Sequence, residues 1–228
     1  MFNGFTDETV DFMWGIRFNN EKPWFEAHKQ TYLTHFYQPM RELEEELYGW
    51  FAEQRPKLPL RGRVSRIYRD ARRLHGRGPY KDCLWLSVEA PAESVWVSQP
   101  TFWFELGPEE WSYGLGYYSA TPATMMKLRA RMERDPRVME KLTRGLDRQT
   151  EFSLEGEPYK RPKEGAPSPL LARWYEKKSF SIGHYEKLDE ILFSRALVDR
   201  LKTGFAFLLP YYDYFVTLDG DPDPRDGR

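Results

Sequence analysis

Apolar and polar side chains alternate through three short stretches in the middle of the chain, and this period of two narrows the possible architectures more than any other feature. Leu84, Leu86 and Val88 alternate with Trp85, Ser87 and Glu89. Phe102, Phe104 and Leu106 alternate with Thr101, Trp103 and Glu105, and Tyr113, Leu115 and Tyr117 follow the Gly107-Pro108 turn. Successive side chains of a strand leave opposite faces, so each stretch presents one apolar face. The links between the stretches are too short for the crossover helix that parallel pairing needs. The sheet is therefore expected to be largely antiparallel.

Helical spacing surrounds these strands. Thr6 is placed to cap a first helix carrying Val10, Met13 and Trp14, ended by Asn19 and Asn20. Pro23 opens a second helix with Phe25, Tyr32 and Phe36 on one arc, and Pro39 is expected to interrupt it and start a third. That third helix carries Met40, Leu43, Leu47 and Trp50 on one stripe, with Glu42, Glu44, Glu45 and Glu46 reading as a solvated face. Thr121 and Pro122 begin a helix burying Met125, Leu128 and Met132 and placing Arg129 beside its apolar face. A short helix follows from Arg137 to about Arg148, with an extended piece near Phe152. Ser194 caps a last helix with Leu197, Leu201, Phe205 and Leu208 inward, bent or ended at Pro210.

The fold class expected is therefore α+β: a single domain over residues 1–218 with a largely antiparallel sheet packed against several helices, and a disordered tail over residues 219–228. A chain of 228 residues buries roughly 70 to 75% of its unfolded surface. With 8 Trp, 14 Tyr and 15 Phe, its core must be aromatic, and the Trp and Tyr polar atoms need partners there. The single Cys83 excludes an intramolecular disulfide. Acids at Asp7, Glu8 and Asp11 stand where a secretory leader would carry cations, and no apolar run reaches the roughly 20 residues of a membrane span. A soluble, cytoplasmic protein with no membrane partner is expected.

Charge is distributed unevenly. Eight Lys and Arg meet one acid between Arg61 and Lys81, while the whole chain carries a formal net charge of -1. A neutral body with one cationic cluster favours a small anionic ligand, such as a phosphate ester, over a length of nucleic acid, which calls for a basic surface. The cations could equally meet carboxylates of the same chain, because guanidinium suits both roles.

Particular residues also resemble a known family. Phe2-Asn3-Gly4-Phe5 with Thr9 and Phe12, then Asn19-Asn20 with Trp24-Phe25, Lys29 and Tyr32, then Arg66-Ile67-Tyr68-Arg69-Asp70 with Arg72 and Pro79-Tyr80-Lys81 resemble the family catalogued as domain of unknown function 2461. The likeness continues through Gly116 and Tyr117, Arg129, Arg161-Pro162 with Gly165, Leu171 and Lys178-Ser179-Phe180. It implies a fold neighbourhood and no mechanism. Where such proteins show Arg-Phe-Ser, this chain has Arg72-Arg73-Leu74. If the lost Phe and Ser shape a site in relatives, ligand preference here differs.

The candidate ligand-binding residues are Arg66, Arg69, Arg72, Tyr80 and Lys81, joined by Arg129 and by Lys160 and Arg161 of the loop from Gly156 to Pro169. On a strand, Arg66 and Arg69 leave opposite faces, so at least one reads as structural. His75 reads as a surface-loop histidine and Cys83 as a buried thiol. There is no phosphate-binding loop ending in Gly-Lys-Ser or Gly-Lys-Thr, no His-Glu-x-x-His and no paired cysteines. No catalytic residue, metal ligand or cofactor is assigned. Two readings stay open: a pocket for an anionic small molecule, and a non-catalytic module that binds a protein partner while its arginines form an internal ion-pair network.

Overall fold

Thr6 does begin helix α1 (Asp7–Phe18) in the computed structural model, which describes residues 1–228 apart from Ala71, Arg73, His75, residues 93–97 and residues 226–228. The substituted position Arg73, the reading of His75 and the end of the expected tail lie outside the described residues. The Thr6 N–H donates to Thr9 Oγ1 at 3.1 Å, closing the first turn. The buried face of α1 is Thr9, Phe12, Met13 and Ile16, so Val10 and Trp14 sit at its edge.

Pro39 stands in the first turn of the third helix, where its sequence position puts it, but the chain stays helical up to that point. Helix α2 (Lys22–Thr31) passes through a π-helical turn (Tyr32–Tyr37) directly into α3 (Gln38–Gln54). In a regular α-helix the His35 carbonyl would accept from the N–H of residue 39, which proline lacks. The buried Thr9 hydroxyl of α1 donates to that carbonyl instead. Phe25, Tyr32 and Phe36 are buried as their spacing predicts, and Met40, Leu43 and Leu47 are completed by Phe51 rather than Trp50. Glu44 corrects the solvated-face reading. It is 5% exposed and lies against Gly62, where any Cβ would strike its carboxylate. Burial raises its pKa, partly offset by Arg41 at 3.4 Å.

The strands are β1 (Arg61–Val64), β2 (Leu84–Glu89), β3 (Thr101–Leu106), β4 (Glu110–Gly116), β5 (Ser153–Glu155) and β6 (Ser181–Lys187). They form a six-stranded antiparallel sheet in the order β1-β2-β3-β4-β6-β5. With its helices this makes the α+β fold that the alternation predicts. Leu84, Leu86, Val88, Phe102, Phe104 and Leu106 are all buried, so the inward set of β2 and β3 is the expected one.

Contacts group the chain into two compact units, residues 1–88, 103–113 and 185–203 in the first and residues 89–102, 114–184 and 204–228 in the second. The first unit has an aromatic core in which Phe5 stacks on Phe104 and Phe2 meets Phe5 edge-on at 5.2 Å. In the second, α4 (Pro122–Arg134), α5 (Arg137–Asp147) and α6 (Pro169–Tyr175) accompany a cluster of Trp174, Phe180 and Phe215, with Phe180 and Phe215 5.0 Å apart. Each such ring stabilises by roughly 1.5–3 kcal/mol on burial. Helix α7 (Ala196–Val216) runs through Pro210 rather than ending there, and Tyr211, Tyr212 and Phe215 beyond the proline are buried. That burial offsets the ~3 kcal/mol an interior proline costs. The chain from Thr217 to Gly220 forms a 3-10 turn, and Asp221 accepts from Arg131 Nε at 2.6 Å. Among the described residues no helix is long and apolar enough to cross a membrane.

Candidate ligand site

The cationic run folds back on itself through a short two-stranded ribbon. Tyr68 and Tyr80 form an antiparallel bridge, flanked by Arg69 N–H donating to Pro79 O at 2.8 Å and Lys81 N–H donating to Ile67 O at 2.7 Å. The Asn20 side chain locks this ribbon to the end of α1. Its Oδ1 accepts from Tyr80 N–H and its Nδ2 donates to Tyr80 O, both at 2.9 Å. Gly78 is required at its position because any Cβ there would strike Asn20. Tyr80 itself is 3% exposed with its ring stacked on Phe25 at 4.3 Å, so it packs in the core.

Arg69 belongs to the same framework. Its Nε donates to Tyr80 O at 2.7 Å, giving that carbonyl a second donor beside Asn20, and its Nη2 lies 3.6 Å from Asp82. Asp82 also accepts from Arg17 Nε at 2.5 Å, and Arg17 continues to Glu109 at 3.2 Å. The hydrogen bond to Asp82 is the main reason that the Arg17 pKa is raised. One carboxylate thus meets two guanidiniums.

Lys81 is different. It is partly buried, and its ammonium makes no hydrogen bond and no ion pair among the described residues. Burial lowers its pKa, and the neighbouring Arg69 and Arg63 lower it further, against Cys83 and Glu105, which raise it. Its Nζ lies 5.8 Å from the Trp85 ring, and the Arg63 guanidinium lies 5.6 Å from the same ring. Arg63 is exposed and also lacks an acid partner among the described residues. Ser65 fixes this arrangement: its N–H donates to Trp85 O at 2.8 Å and its Oγ accepts from Trp85 N–H at 3.1 Å.

Burial raises the pKa of both groups beside Lys81. Burial pushes the Cys83 thiol up to about 12, so it stays protonated at neutral pH. Burial likewise raises the Glu105 pKa, opposed by a hydrogen bond from Cys83 and by Lys81. Two cations therefore flank an indole on this sheet face.

The other predicted residues are placed elsewhere. Arg66 is exposed without an ion pair among the described residues. Arg72 makes a two-pronged contact with Asp70, at 3.0 and 2.8 Å, in the open. Arg129, in the second unit, is 8% exposed and donates to Tyr175 O at 2.8 Å and Lys177 O at 2.9 Å. Its guanidinium lies between the Tyr159 and Tyr175 rings, at 5.1 and 5.5 Å, tying α4 to the loop and to α6. Lys160 and Arg161 are exposed on that loop. Sequence reasoning counted Arg63 in the cationic run without naming it for the site, and did not connect Trp85 or Glu105 to that run. One signal was available, since the period of two extended back from Trp85 passes through Cys83 and Lys81.

Fold and site together define an α+β protein with a cation-flanked aromatic sheet face. The chain belongs to the family described as conserved hypothetical protein (DUF2461), whose profile matches residues 8–214. No curated protein matches it.

Proposed function

We propose that the first unit binds a small anionic ligand carrying a flat ring and a phosphate-like group, with the ring against Trp85 and the charge between Lys81 and Arg63. The observation that carries this reading is the Lys81 ammonium, partly buried with no hydrogen bond and no acid within ion-pair distance among the described residues. A group with a purely structural role would be served better by methionine, which fills the same volume without the burial penalty. A bound anion supplies the missing partner, and a planar group gains by stacking on indole. Arg69 frames the site, because its donors are committed to Tyr80 and Asp82. The ion pairs of Arg69 and Arg72 with acids of the same chain support the second reading, an interaction module, for those two side chains alone, while Arg129 is held by backbone carbonyls.

Thermal unfolding of the chain with a panel of phosphate-bearing metabolites tests the proposal. A ligand at about 100 times its Kd stabilises by about 2.7 kcal/mol, which raises Tm by roughly 5–10 °C in a chain of this size. Lys81→Met should abolish that shift while leaving the ligand-free Tm unchanged or higher. Arg69→Ala should lower the ligand-free Tm, since it strips Tyr80 O and Asp82 of a donor, a loss of about 1–3 kcal/mol. A panel with no responding compound, or a shift that survives Lys81→Met, rules the site out.

A further inference from the structure

The second unit holds a cavity of about 400 Å³ that the cationic run does not reach. Helix α5 contributes Leu146 and Asp147, the connection into β5 and the strand itself contribute Phe152 and Leu154, and α6 with the residues after it contributes Arg173 and Lys177. The volume falls in the range of small-molecule pockets. Leu146 and Phe152 make an apolar wall, 4% and 6% exposed.

The polar groups around this wall are unevenly satisfied. Gln149, also in the lining, is saturated: its amide donates to Leu146 O and Phe152 O, and its oxygen accepts from Phe152 N–H. Arg173 is not. Its Nη2 donates to Asp147 Oδ1 at 2.6 Å and makes a long contact of 3.5 Å to Thr143 O. Its Nε is buried without an acceptor, and its Nη1 makes no hydrogen bond among the described residues. Lys177 Nζ donates to Gly156 O at 2.6 Å and has no acid partner among the described residues. Two cations and one carboxylate leave the lining with one positive charge in excess.

We propose that this cavity binds a small monocarboxylate with a short apolar body, aliphatic or aromatic. The carboxylate meets Arg173 through its unengaged Nη1, and the body lies along Leu146, Phe152 and Leu154. A dianionic phosphate ester fits less well, since Asp147 sits on the same guanidinium and the excess charge is single. The proposal involves no residue of the Lys81 site and stands or falls separately from it.

The test is a titration of the full chain with sodium hexanoate and sodium benzoate to millimolar concentrations, followed by amide chemical shifts, with hexylamine as the charge-reversed control. Saturable shifts around residues 146–154 and 171–177 are expected for at least one carboxylate, with hexylamine weaker by about tenfold or more. Arg173→Gln should weaken the carboxylate by about tenfold, and Leu154→Trp should abolish binding by filling the volume while keeping every charge. No saturation with either carboxylate, equal binding of hexylamine, or unchanged affinity in both variants would overturn the proposal. If either variant loses the dispersed spectrum of a folded protein, the comparison of hexanoate with hexylamine on the unaltered chain still decides.

Discussion

Lys81 and Glu105 show how burial, more than pairing, sets the character of a charged residue. Glu105 holds its proton above the ordinary glutamate value because burial outweighs the help of Cys83 and Lys81. A carboxyl with a raised folded pKa binds more protons folded than unfolded in the window above 4.5. Stability therefore falls as pH rises through that window and is recovered on acidification. Glu105→Gln should flatten this part of the curve, measured as Tm between mildly acidic and neutral pH; an unchanged slope would place the titration elsewhere. The location of the cations was legible from composition alone, since eight of them crowd one run. Their partners were not, because Asn20, Arg17 and Asp82 act from outside that run or at its very end. No local pattern announces that Asn20 reaches sixty positions on to bind both backbone groups of Tyr80.

At the scale of elements, the passage from α2 to α3 shows how a proline can open a helix without the chain first leaving helical conformation. The missing N–H matters only if the carbonyl it would serve stays unpaired, and here the Thr9 hydroxyl serves it. Thr9→Val keeps the shape but removes that hydroxyl, leaving the His35 carbonyl and the Thr6 N–H without their partner. The expected loss is about 1–3 kcal/mol, a Tm lower by roughly 2–12 °C. A Tm within a degree of the parent would mean that water replaces the hydroxyl at no cost. Strands β2 and β3 could be read from the alternation of their side chains, whereas β4 is buried on both faces from Trp111 to Gly116 and was legible only from the spacing of Tyr113 and Leu115 after the turn. β5 spans only Ser153–Glu155, and β6 loses its pattern after Gly183, where His184 through Lys187 leave the core. Period alone cannot reveal strands that short or that half-wet.

At the scale of the whole chain, charged ties join segments far apart in sequence, and Glu46 makes one of them within the first unit. Its carboxylate accepts from the Phe2 N–H at 2.6 Å and from Arg195 at 3.0 and 2.8 Å, while Arg195 also donates to Phe2 O. The Arg195 hydrogen bond is the main cause of its lowered pKa. With the folded value below the unfolded one, this tie contributes fully above the ordinary glutamate range and is lost as pH falls through the depressed value. Glu46→Gln should therefore lower Tm at neutral pH by a few degrees and leave acid unfolding closer to the parent. Equal losses at both pH values would point to packing rather than charge. The lone sulfur atom of Cys83 offers a further handle on this molecule. Its thiol stays protonated up to about 12, and it is the single cysteine, so a maleimide added at neutral pH can label one site only, and slowly. The labelling rate is then a clock for local breathing of the sheet beside Trp85, and any compound that seats there should slow that clock.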